Sequence, residues 1–124
     1  MMQKIAIVED DQAIREMYRI KFESEGYEVV VAENGKRGLE LAESAKPVLI
    51  LLDLMMPEMT GEEMLTRMRA TEWGKNIKVI ILTNVSQDEV LLAVDKLHVS
   101  DFIVKAHFTP QQVVDRVRTV LAAK

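Results

Sequence analysis

Four short, almost unbroken apolar runs constrain this chain more than any other feature. They are KIAIV (Lys4 to Val8), VLILL (Val48 to Leu52), KVIIL (Lys78 to Leu82) and FIV (Phe102 to Val104). A strand with one wet face alternates apolar and polar residues, and these runs do not. They read as strands of a parallel sheet covered on both sides. A fifth segment, YEVVVA (Tyr27 to Ala32), carries Glu28 and reads as a more exposed edge strand.

Helical patterns lie between the strands. Ile14, Met17, Tyr18 and Phe22 share one face of a first helix. Val90, Val94 and Leu97 do so in a fourth, and Val113, Val114, Val117 and Leu121 in a fifth. Three segments, TGEE from Thr60, SQDE from Ser86 and TPQQ from Thr109, carry Ser or Thr followed three residues on by Glu or Gln. That spacing lets two side chains satisfy backbone N–H groups that a helix start leaves free. Pro110 sits at a first helical position, where its missing N–H costs nothing, and Asn34 before Gly35 can cap the second helix. The order is a strand and a helix repeated five times. It predicts a doubly wound, three-layer α/β/α domain over residues 1–124, with right-handed crossovers and its site at the carboxyl ends of the strands.

Composition narrows the function. The net charge is −4, against free-standing nucleic-acid binding, and the absence of cysteine excludes disulfides and thiolate chemistry. The first residues carry an apolar run too short for a signal peptide, and no run approaches a membrane span, so a cytoplasmic protein without membrane contact is expected.

The strand ends carry the chemistry. The first ends in Glu9-Asp10-Asp11, the third in Asp53, the fourth in Thr83 and the fifth in Lys105. Asp11 suits the cap of the first helix. Glu9, Asp10 and Asp53 together would repel one another unless a cation neutralises them. Mg²⁺ takes oxygen ligands from one or two carboxylates plus a phosphate, which fits. With Lys105 as a cation and Thr83 as a hydroxyl donor, the set matches phosphoryl transfer. Asp53 is then the candidate nucleophile, since carboxylates form aspartyl phosphates.

The strings IVEDD (Ile7 to Asp11), LLDLMMPEMTG (Leu51 to Gly61), LTN (Leu82 to Asn84) and DFIVK (Asp101 to Lys105) occur in this order on the five units. Together they resemble the response-regulator receiver domains of two-component signalling, over essentially the whole chain. The resemblance implies a flavodoxin-like fold with strand order 2-1-3-4-5. It implies that Asp53 accepts a phosphoryl group from a histidine of a sensor kinase or phosphotransfer protein. Asp10 would bind Mg²⁺ directly, Glu9 would help through water, and the Met55 backbone carbonyl would be a further ligand. Thr83 and Lys105 would contact the phosphoryl oxygens. Phe102 stands at the aromatic switch position. The family's switch remodels the face of the fourth helix, fifth strand and fifth helix, read by a downstream effector. Leu91 or Leu92 on that face could serve a partner or a homodimer. Such a protein is a signalling switch rather than an enzyme, catalysing only its own phosphoryl transfer and loss.

Departures from the family pattern fall beside the site. Asn84 follows Thr83 where a small residue is usual. Ala106 follows Lys105 where a cis proline is usual; a non-proline cis bond costs about 2.5–4 kcal/mol, so a trans bond or a strained loop is expected. His98-Val99 replaces the glycine–alanine pair that commonly ends the fourth helix, which is expected to end without a left-handed turn. His98 and His107 are expected at the surface. Met55 and Met56 are expected to fill the loop after Asp53 with soft apolar bulk. Met55 and Val85 cannot position an attacking water, which predicts slow loss of the phosphoryl group.

Three other readings are weaker. A flavin binder needs a phosphate-cradling loop where this chain has Glu9-Asp10-Asp11. A hydrolytic phosphatase needs a water-positioning group where Met55 stands. A constitutive interaction module would not need the complete set of acids, threonine and lysine.

Overall fold

A computed structural model describes residues 2–84 and 97–123. The strands are β1 (Lys4–Val8), β2 (Glu28–Ala32), β3 (Leu49–Leu52), β4 (Lys78–Thr83) and β5 (Asp101–Val104). They form one parallel sheet in the order β2-β1-β3-β4-β5. The helices are α1 (Gln12–Ser24), α2 (Gly35–Ala45), α3 (Gly61–Arg69) and a C-terminal helix (Pro110–Ala122). The doubly wound architecture and strand order expected from the sequence are therefore present. Predicted features at Val85, Ser86, Val90, Leu91, Leu92 and Val94 lie outside the described residues.

The period-2 geometry of a strand divides the core in two. Ile5, Ile7, Leu49, Leu51, Ile80, Leu82 and Ile103 face α1 and the C-terminal helix, against Tyr18, Phe22, Val113, Val114 and Val117. Ala6, Val8, Ile50, Leu52, Val79 and Ile81 face the other way, against Ala42, Met64, Leu65 and Met68 of α2 and α3. Both faces are dry, so the strand sequences cannot alternate. Strands β2 and β5 are the two edges, and Glu28 of β2 is exposed. Strand β2 begins one residue later than expected; Tyr27 is instead buried and meets Phe22 edge-on at 5.7 Å.

The helix starts follow the local sequence. Asp11, Asn34, Thr60 and Thr109 each accept from a backbone N–H of the first turn, and Thr109 with Gln112 completes the reciprocal box. The first helix buries Tyr18 and Phe22, but Met17 of the same predicted face is 42% exposed. The expectation for His98 needs correction. Without glycine, His98 itself takes the left-handed conformation, with φ 55°. The Arg69 guanidinium braces this turn, donating to the carbonyls of Leu97 (2.8 Å), His98 (3.1 Å) and Gly74 (2.8 Å). Three charge-assisted bonds offset the backbone cost of roughly 1–2 kcal/mol.

Candidate phosphoryl-transfer site

Strand alternation brings the site together. Glu9 continues the stripe of Ile5 and Ile7, Asp53 that of Leu49 and Leu51, and Lys105 that of Ile103. All three therefore emerge on one face of the sheet, at the carboxyl ends of the adjacent β1 and β3 and of β5, with β4 between β3 and β5. The ladder persists one residue past the strands to hold them: Glu9 N–H donates to the Ala32 carbonyl at 3.0 Å, and Asp53 N–H to the Val8 carbonyl at 3.1 Å.

Oxygens of Glu9, Asp10 and Asp53 lie within 4.8 Å of one another. Asp10 is exposed, whereas Glu9 and Asp53 are buried. The Lys105 ammonium donates to Glu9 Oε1 and, at 3.2 Å, to Asp53 Oδ2. Burial pushes the Glu9 carboxyl up to about 7; the nearby Asp53 adds to the rise and Lys105 opposes it. Burial disfavours the Lys105 cation, but the Glu9 bond and the Asp53 and Glu9 charges outweigh it and raise its pKa. A lysine clamped between two carboxylates thus compensates part of the acid charge.

The donor set suits a hard divalent cation: three carboxylates, two buried and one exposed, with no soft or nitrogen ligand among them. Glu9, Asp10 and Asp53 form the one such acidic cluster among the described residues.

Thr83 is fully buried at the end of β4. Alternation puts it on the opposite sheet face from Lys105, with Val79 and Ile81. Phe102 pairs in register with Ile81 and packs, partly buried, against that same cluster. The threonine and the aromatic residue thus share the α2/α3 side of the sheet. The Met55 backbone N–H donates to Asp53 Oδ1 at 3.2 Å. Its side chain is 64% exposed, so only Met56 packs into the loop, contrary to the expectation for both methionines. Ala106 is joined by a trans bond, there being no cis peptide among the described residues. His98 and His107 are exposed, as expected.

Arg15 and the place of Tyr18 at the site were not singled out from the sequence, whereas Gly61 was expected, with Pro57, to shape the loop after Asp53. Arg15 donates to the carbonyls of Glu9 (2.8 Å) and Asp10 (3.4 Å), fixing the acidic turn. Its place one turn into α1 was the available signal. Tyr18 sits beneath the site, walling a cavity of about 10 Å³ with Glu9 and Asp53. Gly61 brings α3 against the backbone of Asp53: a Cβ there would stand 2.2 Å from the Asp53 carbonyl oxygen. The Gly61 N–H donates to the Leu54 carbonyl at 3.1 Å.

Known proteins are similar to this chain in sequence and in fold. The response regulator receiver domain family matches residues 5–118. The phosphate regulon transcriptional regulatory protein PhoB of Pseudomonas aeruginosa is 35% identical over 117 residues, covering 94% of this chain and 51% of that protein. The transcriptional regulatory protein SrrA of Staphylococcus aureus is 36% identical, covering 98% and 48%. The chain thus spans about half the length of these relatives. Among solved structures, the chemotaxis protein CheY4 of Vibrio cholerae superposes with TM-score 0.90 at 28% identity, covering 97% of this chain and 99% of that one. The response regulator TrrA of Thermotoga maritima, solved with Mg²⁺ and beryllofluoride, gives 0.84 at 30% identity, covering 96% and 99%. No helix among the described residues is long and apolar enough to cross a membrane. Sequence, topology and the acidic corner agree: the chain belongs to the response regulator receiver domain family of two-component signalling.

Proposed function

We propose that residues 1–124 act as one receiver domain whose Asp53 accepts a phosphoryl group from a phosphohistidine of a partner kinase or phosphotransfer protein. The carrying observation is the corner itself, where Asp53 lies beside two further carboxylates and the Lys105 ammonium. An Asp53 Oδ forms the new bond to phosphorus. The phosphorus–nitrogen bond breaks, and its electron pair leaves on the imidazole. Burial holds Asp53 rigid, and the backbone bond from Met55 orients its carboxylate.

Glu9, Asp10, Asp53 and the Met55 carbonyl would hold Mg²⁺, which when bound neutralises charge on the phosphoryl oxygens. Lys105, here paired with Glu9 and Asp53, would be the cation that contacts the transferred group once those carboxylates held the metal. Thr83 supplies a hydroxyl to the same group. Its shared sheet face with Phe102 supports a coupled movement of both residues, altering the surface around β5 that an effector or a second copy would read. The switch reading assigns the chain no reaction beyond acquiring and losing its own phosphoryl group, and a cytoplasmic setting.

Intact mass after incubation with acetyl phosphate tests this. A Mg²⁺-dependent gain of one phosphoryl group, absent in Asp53→Asn, is expected. No gain together with no binding of Mg²⁺–beryllofluoride would refute it.

A further inference from the structure

Asn84 and Ala106 depart from the family pattern immediately after Thr83 and Lys105, and the structure joins them to each other. The Ala106 backbone N–H donates to Asn84 Oδ1 at 3.1 Å. Neither half of the bond exists with the usual residues: proline has no N–H, and a small side chain has no amide oxygen to reach it.

The local structure explains why the bond is needed. Residues Lys105–His107 form a single 3₁₀ turn, whose first N–H groups lack partners within the turn. The residue preceding the turn is Val104, which makes no side-chain cap. Strands β4 and β5 pair Thr83 with Val104, so Asn84 stands in register beside the start of the turn. It caps the turn from the neighbouring strand. Asn84 and Ala106 also line one open groove of about 290 Å³ with Tyr18, Lys105 and Phe108.

We propose that Asn84 and Ala106 are a matched positioning pair, a latch that ties the loop after Thr83 to the turn after Lys105. It fixes the two phosphoryl-contacting side chains relative to one another, whereas a proline after Lys105 would restrict only its own backbone and offer no N–H to the neighbouring strand end. The inference rests on the proposed role of Asp53, because positioning matters only if a phosphoryl group is received there.

The test compares the unmodified protein with Asn84→Ala, Ala106→Pro and the double variant. Deuterium exchange of the Ala106 amide reads the latch directly. Protection is expected in the unmodified protein, lost in Asn84→Ala and regained in Asn84→Asp, which keeps an acceptor at the same reach. The affinity for Mg²⁺–beryllofluoride and the rate of phosphorylation by acetyl phosphate read the consequence. Asn84→Ala should lower both roughly three- to tenfold, the effect of losing one modest hydrogen bond. The urea midpoint of the metal-free protein should fall by no more than the loss of that one bond accounts for. The double variant should be no worse than Asn84→Ala alone, because the shared bond is lost only once. Two independent losses that multiply in the double variant would overturn the proposal, as would an unprotected Ala106 amide. If the unmodified protein neither gains a phosphoryl group nor binds beryllofluoride, the proposed function fails and the positioning role falls with it. If it does both and Asn84→Ala matches it, the latch alone is refuted.

Discussion

Replacing Glu9 by glutamine should change how the metal-free protein responds to pH. The Glu9 carboxyl is buried, and its pKa is raised from 4.5 to about 7, chiefly by that burial. Between these values the folded chain holds a proton on Glu9 that the unfolded chain has released. The contribution to stability is therefore complete below pH 4.5 and is lost as pH rises through about 7. Each pH unit inside the window is worth about 1.4 kcal/mol, so the whole window amounts to about 3 kcal/mol. Because Glu9 shares its site with Asp53 and Lys105, the observed step belongs to the cluster.

Urea unfolding followed by the fluorescence of Trp73, the one tryptophan, would measure this from about pH 5.5 to about pH 8. Metal-free protein should lose about 2 kcal/mol relative to Glu9→Gln across that range. Groups common to both proteins cancel in the difference. Mg²⁺ should abolish this slope. Its carboxylate ligands must be ionised, so its affinity should fall up to about tenfold per unit as pH drops below the Glu9 pKa. With Mg²⁺ saturating, Glu9 is ionised in both the folded and the unfolded chain, so its contribution to the pH dependence of stability should vanish through the same window. Parallel pH profiles of the two metal-free proteins would refute the assignment of the raised pKa to Glu9. An Mg²⁺ affinity independent of pH would refute a part for Glu9 in holding the metal.

The remaining predictions use the same unfolding and beryllofluoride assays. Gly61→Ala would put a Cβ 2.2 Å from the Asp53 carbonyl oxygen and 2.9 Å from the Leu54 Cα. It should cost about 3 kcal/mol by overpacking and weaken beryllofluoride binding; full affinity would show that the α3 contact does not position Asp53. Gly26→Ala is the contrast, since φ is 94° but nothing lies within 4 Å. It should cost roughly 1–2 kcal/mol and leave the site unchanged. Arg69→Met strips partners from three carbonyls and should cost about 2–3 kcal/mol, with Mg²⁺ affinity intact. The Met55 side chain is exposed and apolar, so the aspartyl phosphate should last minutes or longer. Met55→Asn, by placing a polar group beside it, should shorten that lifetime by about tenfold; an unchanged lifetime would remove this position from the control of dephosphorylation.

The site was legible because strand chemistry and strand geometry say the same thing. A run such as Leu49–Leu52 can be buried on both faces only in the middle of a parallel sheet. The first polar residue after such a run must then emerge at the carboxyl edge. Applied to β1, β3 and β5, this yields Glu9, Asp53 and Lys105 without any side-chain coordinates. Alternation sorts them further. Odd-numbered residues in β1 and β3 share the α1 face, which is why Glu9 and Asp53 meet Lys105 after Ile103. The supporting residues were less visible because their roles depend on distances between segments. Gly61 reads from the sequence as a loop-shaping residue, but the sequence does not show that its missing Cβ leaves room for the Asp53 carbonyl. Arg69 looks like a favourable charge at the end of α3 until the carbonyls of Leu97 and His98 appear opposite it.

Asn84 and Ala106 show what such reading loses. Judged one at a time, each is a departure that weakens the resemblance at its position. Side by side, each supplies the half of a hydrogen bond that the other requires. A donor exposed by the missing proline and an acceptor carried by a larger side chain cancel as defects. The pairing was nonetheless within reach of the sequence. Parallel register carries Thr83 to Val104, and both departures fall within two residues beyond that pair. Departures that register brings together should therefore be weighed jointly, because a deviation in one strand end changes which residue is favourable in its neighbour.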